Sequence, residues 1–508
     1  MTEIDLSLQG MLLIISLITS YGLSYFAYRR GHVYLALFFI IFAGLSIRLF
    51  CSSDPMLHTW DERYHALVAK NIIEQPFVPK LYKEHVIDFD YKNWTANEVW
   101  LHKQPIPLWS MALSMKLFGI SEFTLRLPSV LLSTISIFLT FCIALLLFNS
   151  PKTGLLAAFF QSINGLVIEL ASGRVATDHI DTFFLFFVEL SIFFILLNVK
   201  RINKIFLFLG GIACGLAILT KWLPALIIFL LYLIITPKSK CNSNQLFTDL
   251  IVLGSATLLV ALPWQIYAQM TFPLAYQWEL QFNKRHFTEG LEGNGQPWWY
   301  FINRIRITVN EMIYIILLWF GYYTSQKSEL RKENLFLLIY MAIPFLVFSV
   351  AKTKMQGYLL FTFPAYFIII GLFIETLLFR KTITPRQSTL YKVNVLIVVA
   401  IFSLAVRYSL ERVKPFKTYH QESLAKKELQ GITFPAKAVL FNIHCPIELM
   451  FYTDCIAYPS IPDNDLINKL RHKNYNLFIV DNGNLSNEIM NDSRIAKLKL
   501  HTTMQICQ

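Results

Sequence analysis

Four stretches of the sequence collect side chains that exchange protons or hold anions. Trp60-Asp61-Glu62-Arg63-Tyr64-His65 sets two carboxylates beside a guanidinium, a phenol and an imidazole. His102-Lys103-Gln104-Pro105 places a cation just ahead of two prolines that fix the chain, with Trp100 and Trp109 suited to a membrane headgroup level. A cation anchored there could hold a lipid phosphate. The third stretch, Gly173-Arg174-Val175-Ala176-Thr177-Asp178-His179-Ile180-Asp181, can bind a sugar, an ion or its own members. The fourth is discontinuous: Glu279, His286 and Trp298-Trp299 share one connection, and Lys352-Thr353-Lys354 with Tyr358 forms a short turn. Each stretch also has a plainer reading. Asp61 can cap a helix while Glu62 complements its dipole, and Lys103 can snorkel. Asp178 or Asp181 can cap the following helix, and the paired Trp can belong to an interfacial belt.

The composition says what kind of element must position these groups. Of 508 residues, 55% are hydrophobic and only 15% charged, too apolar a chain to hide in a soluble core. Twelve apolar runs are long enough to be read as membrane spans: Met11 to Tyr28, Val33 to Phe50, Phe123 to Phe148, Gly154 to Ala171, Ile180 to Val199, Ile205 to Thr220, Trp222 to Thr236, Phe247 to Ile266, Thr308 to Thr324, Asn334 to Val350, Tyr358 to Leu378 and Val393 to Val406. Glu189 falls inside the fifth, where a carboxylate is expected to face the bundle interior in a polar contact. No inverted pair of broken helices is evident in the sequence.

The formal charge of +12 marks orientation here, and no nucleic-acid partner is expected. Alternate connections carry Arg29 and Arg30, Lys152, Lys200 with Arg201 and Lys204, Lys238 and Lys240, Lys327 with Arg331 and Lys332, and Arg380 with Lys381 and Arg386, so these are expected in the cytoplasm. Glu3 and Asp5, with no basic residue near them, put the N-terminus outside. The sequence thus divides into a membrane domain, 1–406, with outer loops 51–122 and 267–307, and an outer C-terminal α/β domain, 407–508. In the latter, runs such as Lys437-Ala-Val-Leu-Phe-Asn-Ile and Asn476-Leu-Phe-Ile-Val-Asp flank a helix-like 463–472, the pattern of a largely parallel sheet. Cys445 and Cys455 share this polar region and are expected to pair if the compartment is oxidising. No Gly-x-Gly-x-x-Gly or Walker motif is present, which argues against a soluble nucleotide.

In combination, Trp60-Asp61-Glu62, His102-Lys103-Gln-Pro, Leu117-Phe-Gly-Ile-Ser-Glu-Phe-Thr-Leu-Arg-Leu-Pro128, Thr177-Asp178, Leu219-Thr-Lys221, Pro297-Trp-Trp-Tyr300 and Lys352-Thr-Lys354 with Tyr358 resemble membrane glycosyltransferases of the GT-C type. The nearest pattern is that of families 39 and 83, the protein O-mannosyltransferases and aminoarabinose lipid A transferases. The resemblance implies a polyprenyl-phosphate sugar donor, a lipid, glycan or protein acceptor, and inversion at the anomeric carbon. It also implies a multi-pass protein of the bacterial inner membrane whose site and C-terminal domain face the periplasm or exterior. By the same resemblance Asp61 is the catalytic base and Asp178 its companion. Lys103, Arg63, Lys352 and Lys354 hold the donor phosphate, while Glu62, Tyr64, His65, Asp181, Trp298 and Tyr358 line the substrate site. Tyr64 and His65 stand where the family pattern has Arg and Tyr, and His102 where it has Glu. A divalent metal is the one cofactor left open, with His102, His286 and Glu279 as its ligands.

Elementary chemistry agrees with these roles. A glycosyl phosphate carries its own leaving group, so one base for the acceptor, worth about 10² to 10⁴-fold, and cations for the departing phosphate suffice. The alternative, a transporter or flippase of an amphipathic or lipid-linked solute, expects its ionisable residues within the spans, whereas most of them here lie in loops.

Overall fold

The computed structural model describes residues 6–237, 243–378 and 385–500. Glu3, Asp5, Lys238, Lys240, Arg380 and Lys381 lie outside the described residues, as does the side chain of Arg386. The chain runs through α1 (Leu6–Arg29), α2 (Val33–Ser52), α3 (Asp61–Ile72), α4 (Pro105–Phe118), α5 (Glu122–Phe148), α6 (Pro151–Ile163), α7 (Gly165–Ala171), α8 (Asp178–Arg201) and α9 (Lys204–Lys221). It continues with α10 (Ile227–Ile235), α11 (Ser243–Thr271), α12 (Pro273–Thr288), α13 (Tyr300–Thr308), α14 (Ile313–Gln326), α15 (Arg331–Val350), α16 (Phe363–Leu378) and α17 (Pro385–Val413).

Among the described residues nine of these helices are long and apolar enough to cross a membrane, or eleven elements if two bent pairs each count as one span. The count differs from the expected twelve for local reasons. The run from Gly154 to Ala171 breaks into α6 and α7, bent by 53°. Asn164 sits at that break, where its Oδ1 caps the Val167 N–H at 3.1 Å and its Nδ2 donates to the Thr308 carbonyl at 2.7 Å. Thr308 is itself the end of α13, which meets α14 at 96°. The two breaks, neither evident from the sequence, therefore hydrogen-bond to each other. The seventh run, Trp222 to Thr236, becomes the short apolar helix Leu223–Ile235, separated from α9 at Trp222, whose φ of 67° interrupts the helix.

Ser121 starts α5 with a capping box, accepting from the Thr124 N–H while the Thr124 hydroxyl accepts from Ser121. Pro105 and Pro107 open α4, where a missing N–H is harmless. The antiparallel pair α8 and α9 packs tightly, with Gly210 against Phe194 and Ile195. This hairpin places Asp181 and Lys221 together at one end and Lys200, Arg201 and Lys204 at the other. Glu189 is fully buried and accepts from the Thr140 hydroxyl at 2.6 Å, a polar contact inside the bundle.

Beyond α17 the C-terminal part adds α18 (His420–Gly431), β1 (Ala438–Phe441), α19 (Pro446–Tyr452), β2 (Ile456–Ala457), α20 (Asn464–His472), β3 (Asn476–Val480), α21 (Asn487–Asn491) and β4 (Ile495–Leu498). The four strands form one parallel sheet in the order β2-β1-β3-β4, with Val439 opposite both Ile456 and Leu477. Cys445 and Cys455 do not pair. Both are buried at the two ends of α19 and are not bonded to each other, which corrects the expected disulfide.

Candidate active site

Asp61 opens α3, but it does not cap it. The preceding Trp60 takes φ 70° and ψ −129°, a conformation costly for any residue but glycine, and makes no side-chain cap. This sharp entry turns the Asp61 carboxylate away from its own helix. Oδ2 accepts the Thr177 N–H at 3.1 Å and lies 3.3 Å from the Lys103 ammonium. Burial alone would push this carboxyl up. The positive charges of Lys103, His65 and His102 more than offset burial and hold it at about 2.

Thr177 joins this pair to a second one. It too sits at positive φ, 63°, and while its N–H serves Asp61 its hydroxyl donates to Asp181. Asp181 also receives the Lys221 ammonium, which stands over the Tyr358 ring at 4.7 Å from its centre. The turn before Tyr358 comes so close that a Cβ on Gly357 would collide with the Asp181 carboxylate. Two carboxylate–ammonium pairs, drawn from four separate chain segments, thus meet on one threonine. Such an arrangement is charge-balanced at rest, and an incoming phosphate can compete with either carboxylate for its lysine.

Glu62 faces the other way, into a closed network. It is fully buried and accepts from Arg126 Nε at 2.7 Å and Nη2 at 3.0 Å, from the His58 N–H at 2.6 Å and ring at 2.7 Å, and pairs with His179 Nε2 at 3.2 Å. Asp54 continues the network between His58 and Arg174. Together Arg126, His58 and His179 outweigh burial and hold the Glu62 carboxyl well below its ordinary range. Gly173, at φ 74°, passes so near Glu62 that a side chain there would strike it. Glu62, expected in the substrate site, is therefore the hub of a buried ion network.

The other expected residues divide. Arg63 turns to Glu448 of α19 at 3.0 Å. Lys354, nearly fully buried, donates to the carbonyls of Gln296 and Ala351 and so fastens its own loop. Lys352 stays exposed, its N–H on the Phe287 carbonyl at 3.3 Å. Of the four cations assigned to the donor phosphate, Lys103 is the one beside Asp61. Tyr64 packs edge-on against Trp94 at 4.8 Å and His65, fully buried, against Trp100 at 5.7 Å. Trp298 is 65% exposed at the start of α13. The side chain of Asp178 lies outside the described residues.

The proposed metal ligands do not converge. His102 pairs with Glu279 at 3.3 Å and stacks on Trp94 at 4.5 Å. His286 instead turns Nδ1 to the Phe282 carbonyl, and the Phe282 ring contacts both imidazoles, at 5.3 and 5.2 Å. Among the described residues no group of three or more His, Cys, Asp or Glu side chains is arranged for a metal ion. The residues present do not fit the cofactor that the resemblance left open.

Lys221 received no role from the sequence, although it stood in one of the quoted motifs. Its signal was a lysine closing an otherwise apolar span. Its partner Asp181 lies on a different helix, so spacing alone could not pair them.

Residues 102–267 match the family described as dolichyl-phosphate-mannose-protein mannosyltransferase. An uncharacterized protein of Aquifex aeolicus is 26% identical over 69% of this chain and 66% of its own length. The undecaprenyl phosphate-alpha-4-amino-4-deoxy-L-arabinose arabinosyl transferase of Pseudomonas aeruginosa (strain LESB58) is 24% identical over 61% of this chain and 57% of its own length. The chain thus matches less than two thirds of the length of these relatives. Among solved structures, ArnT from Cupriavidus metallidurans bound to undecaprenyl phosphate superposes with a TM-score of 0.56 at 16% identity, covering 85% of this chain and 87% of that one. The archaeal oligosaccharyltransferase AglB from Archaeoglobus fulgidus, in complex with an inhibitory peptide and a dolichol-phosphate, gives 0.51 at 13% identity, covering 82% and 64%. The chain is a polytopic membrane protein with the GT-C fold, and it resembles the membrane glycosyltransferases of the mannosyl- and aminoarabinosyltransferase group.

Proposed function

We propose that this protein transfers a sugar from a polyprenyl-phosphate carrier to a hydroxyl of a lipid, glycan or protein acceptor, at the face of the membrane opposite its basic connections. The observation that carries the reading is the pair of carboxylate–lysine contacts joined at Thr177. The relatives named above for their undecaprenyl phosphate sugar support the donor class, and the hairpin that sets Lys200, Arg201 and Lys204 at the end away from the site supports the orientation.

In this reading Lys103 and Lys221 receive the donor phosphate, whose departure needs no added proton. Asp61 is ionised at rest but, at about 2, is a weak base. When Lys103 turns to the phosphate its hold on Asp61 slackens, and the carboxylate becomes more basic as the acceptor hydroxyl arrives. Attack from the face opposite the phosphate gives inversion. Asp178 and Tyr358 keep their proposed places around the donor.

The test is direct. Purified protein in lipid, given radiolabelled polyprenyl-phosphate sugars and a membrane extract as acceptor, should move label off the carrier, and Asp61→Asn should lower turnover by about 10² to 10⁴-fold. Label that only changes sides of the vesicle would establish the flippase instead.

A further inference from the structure

The helix that carries Asp61 is short, and its entry at Trp60 is strained, so something beyond its own hydrogen bonds must hold it. One face of α3 repeats at Arg63, Ala66, Leu67 and Lys70, helical spacing that ends in two cations. That face is covered by α19 of the C-terminal part. Arg63 Nη1 meets Glu448 at 3.0 Å. Lys70 Nζ donates to the carbonyls of Met450, Phe451 and Thr453 at 3.0, 3.0 and 2.8 Å, three acceptors at the C-terminal end of α19, where helical carbonyls lack partners. Ala66 and Leu67 are buried between the two contacts.

The same short helix also grips the approach to Asp61. The Tyr452 hydroxyl accepts from the Leu57 N–H at 3.2 Å and donates to Glu122 at 2.7 Å, and Lys426 of α18 meets the other Glu122 oxygen at 2.7 Å. Contacts therefore clasp the chain on both sides of Trp60, from elements nearly 400 residues away in sequence.

We propose that α19 is a positioning element for the base, with Lys70 and Glu448 as positioning residues that hold α3 so that Asp61 stays on Thr177 and Lys103. The inference rests on Asp61 being the base. Neither residue touches the reacting groups, and the C-terminal part becomes a structural member of the site rather than an appended module.

The experiment uses the full chain in detergent or lipid and two readouts. The first needs no activity: the Thr177 amide is held by Asp61, so its hydrogen exchange, read by fragmentation mass spectrometry, reports whether Asp61 is in place. Lys70→Met should speed that exchange about tenfold, the effect of losing roughly one hydrogen bond, while the His58 amide on Glu62 stays protected. The second is turnover. Lys70→Met should lower kcat by about tenfold or more with little change in donor KM, Lys70→Arg should restore most of it, and in an Asp61→Asn background the further loss should vanish. Unchanged Thr177 exchange in folded Lys70→Met protein overturns the proposal, as does an equal kcat loss in the Asp61→Asn background. Should Lys70→Met fail to accumulate, Glu448→Gln carries the same two readouts. If the wild-type chain transfers no sugar, the proposed function fails, while the exchange measurement still decides the positioning claim.

Discussion

Asp61 and Glu62 are neighbours in the chain, both buried, at 8% and 0% exposure, and both are held ionised by nearby cations. What separates them is saturation. Glu62 draws contacts from Arg126, His58 and His179 on both oxygens. Among the described residues Asp61 takes one amide and one ammonium, both on Oδ2, whereas a carboxylate can accept about four hydrogen bonds. A saturated buried carboxylate locks structure; an unsaturated one beside a movable cation retains capacity for a substrate. Adjacent acids on one helix can therefore do opposite work, because successive side chains point about 100° apart.

The comparison can be broken at its strongest point first. Asp61→Asn should leave the apparent melting temperature close to wild type while turnover falls by the factor given above, and Glu62→Gln should do the reverse. Replacing Glu62 strips the buried Arg126 of its counter-charge, so it should cost about 3–5 kcal/mol and show as a loss of folded protein in membrane extracts. Unfolding of the Asp61→Asn protein, or a stable Glu62→Gln protein with poor turnover, would exchange the two assignments.

The second lysine sharpens the picture. Lys221→Met removes a charge-assisted contact worth about 1.5–3 kcal/mol, so limiting-donor kinetics should weaken by roughly 10 to 100-fold while kcat at saturating donor changes less. Kinetics at wild-type level would reduce Lys221 to a helix-end cation that pairs Asp181.

The smallest effect concerns pH. Burial pushes the His58 imidazole down, but Glu62 and, by hydrogen bond, Asp54 push it up further despite Arg126, and its net pKa is raised. A raised imidazole contributes stability that is full below its unfolded value near 6.5 and is lost as pH climbs through the folded value. Melting temperature should therefore sag as pH rises above neutrality, and His58→Gln should flatten that slope.

Local spacing made part of this legible. Asp61 stood out because two acids and a cation precede an amphipathic turn, and Lys103 because prolines pin its position. The spans were readable from hydropathy, except where Trp222 leaves helical geometry and where Asn164, at the α6–α7 break, and Asn310, between α13 and α14, find tertiary partners in the Thr308 and Ile401 carbonyls. The Glu62 network was not legible because its partner Arg126 is 64 residues distant, nor were the Lys354 contacts, because nothing in a turn announces that its ammonium will bury itself on two carbonyls. The Lys70 contacts were invisible for the same reason, 380 residues and more from their acceptors.

The α8–α9 hairpin has a bearing on how the protein is made. Its far end carries three cations, Lys200, Arg201 and Lys204, with no acid among them, whereas at the site end Lys221 offsets one of two acids, Asp178 and Asp181. An uncompensated charge at the centre of a bilayer costs about 2.5–3.5 kcal/mol, so the end with the smaller net charge is the cheaper one to carry through hydrocarbon. Under the proposed function and orientation, the ion pair at the candidate site thus also biases the direction in which a nascent hairpin threads, and the same two residues bear on both chemistry and topology.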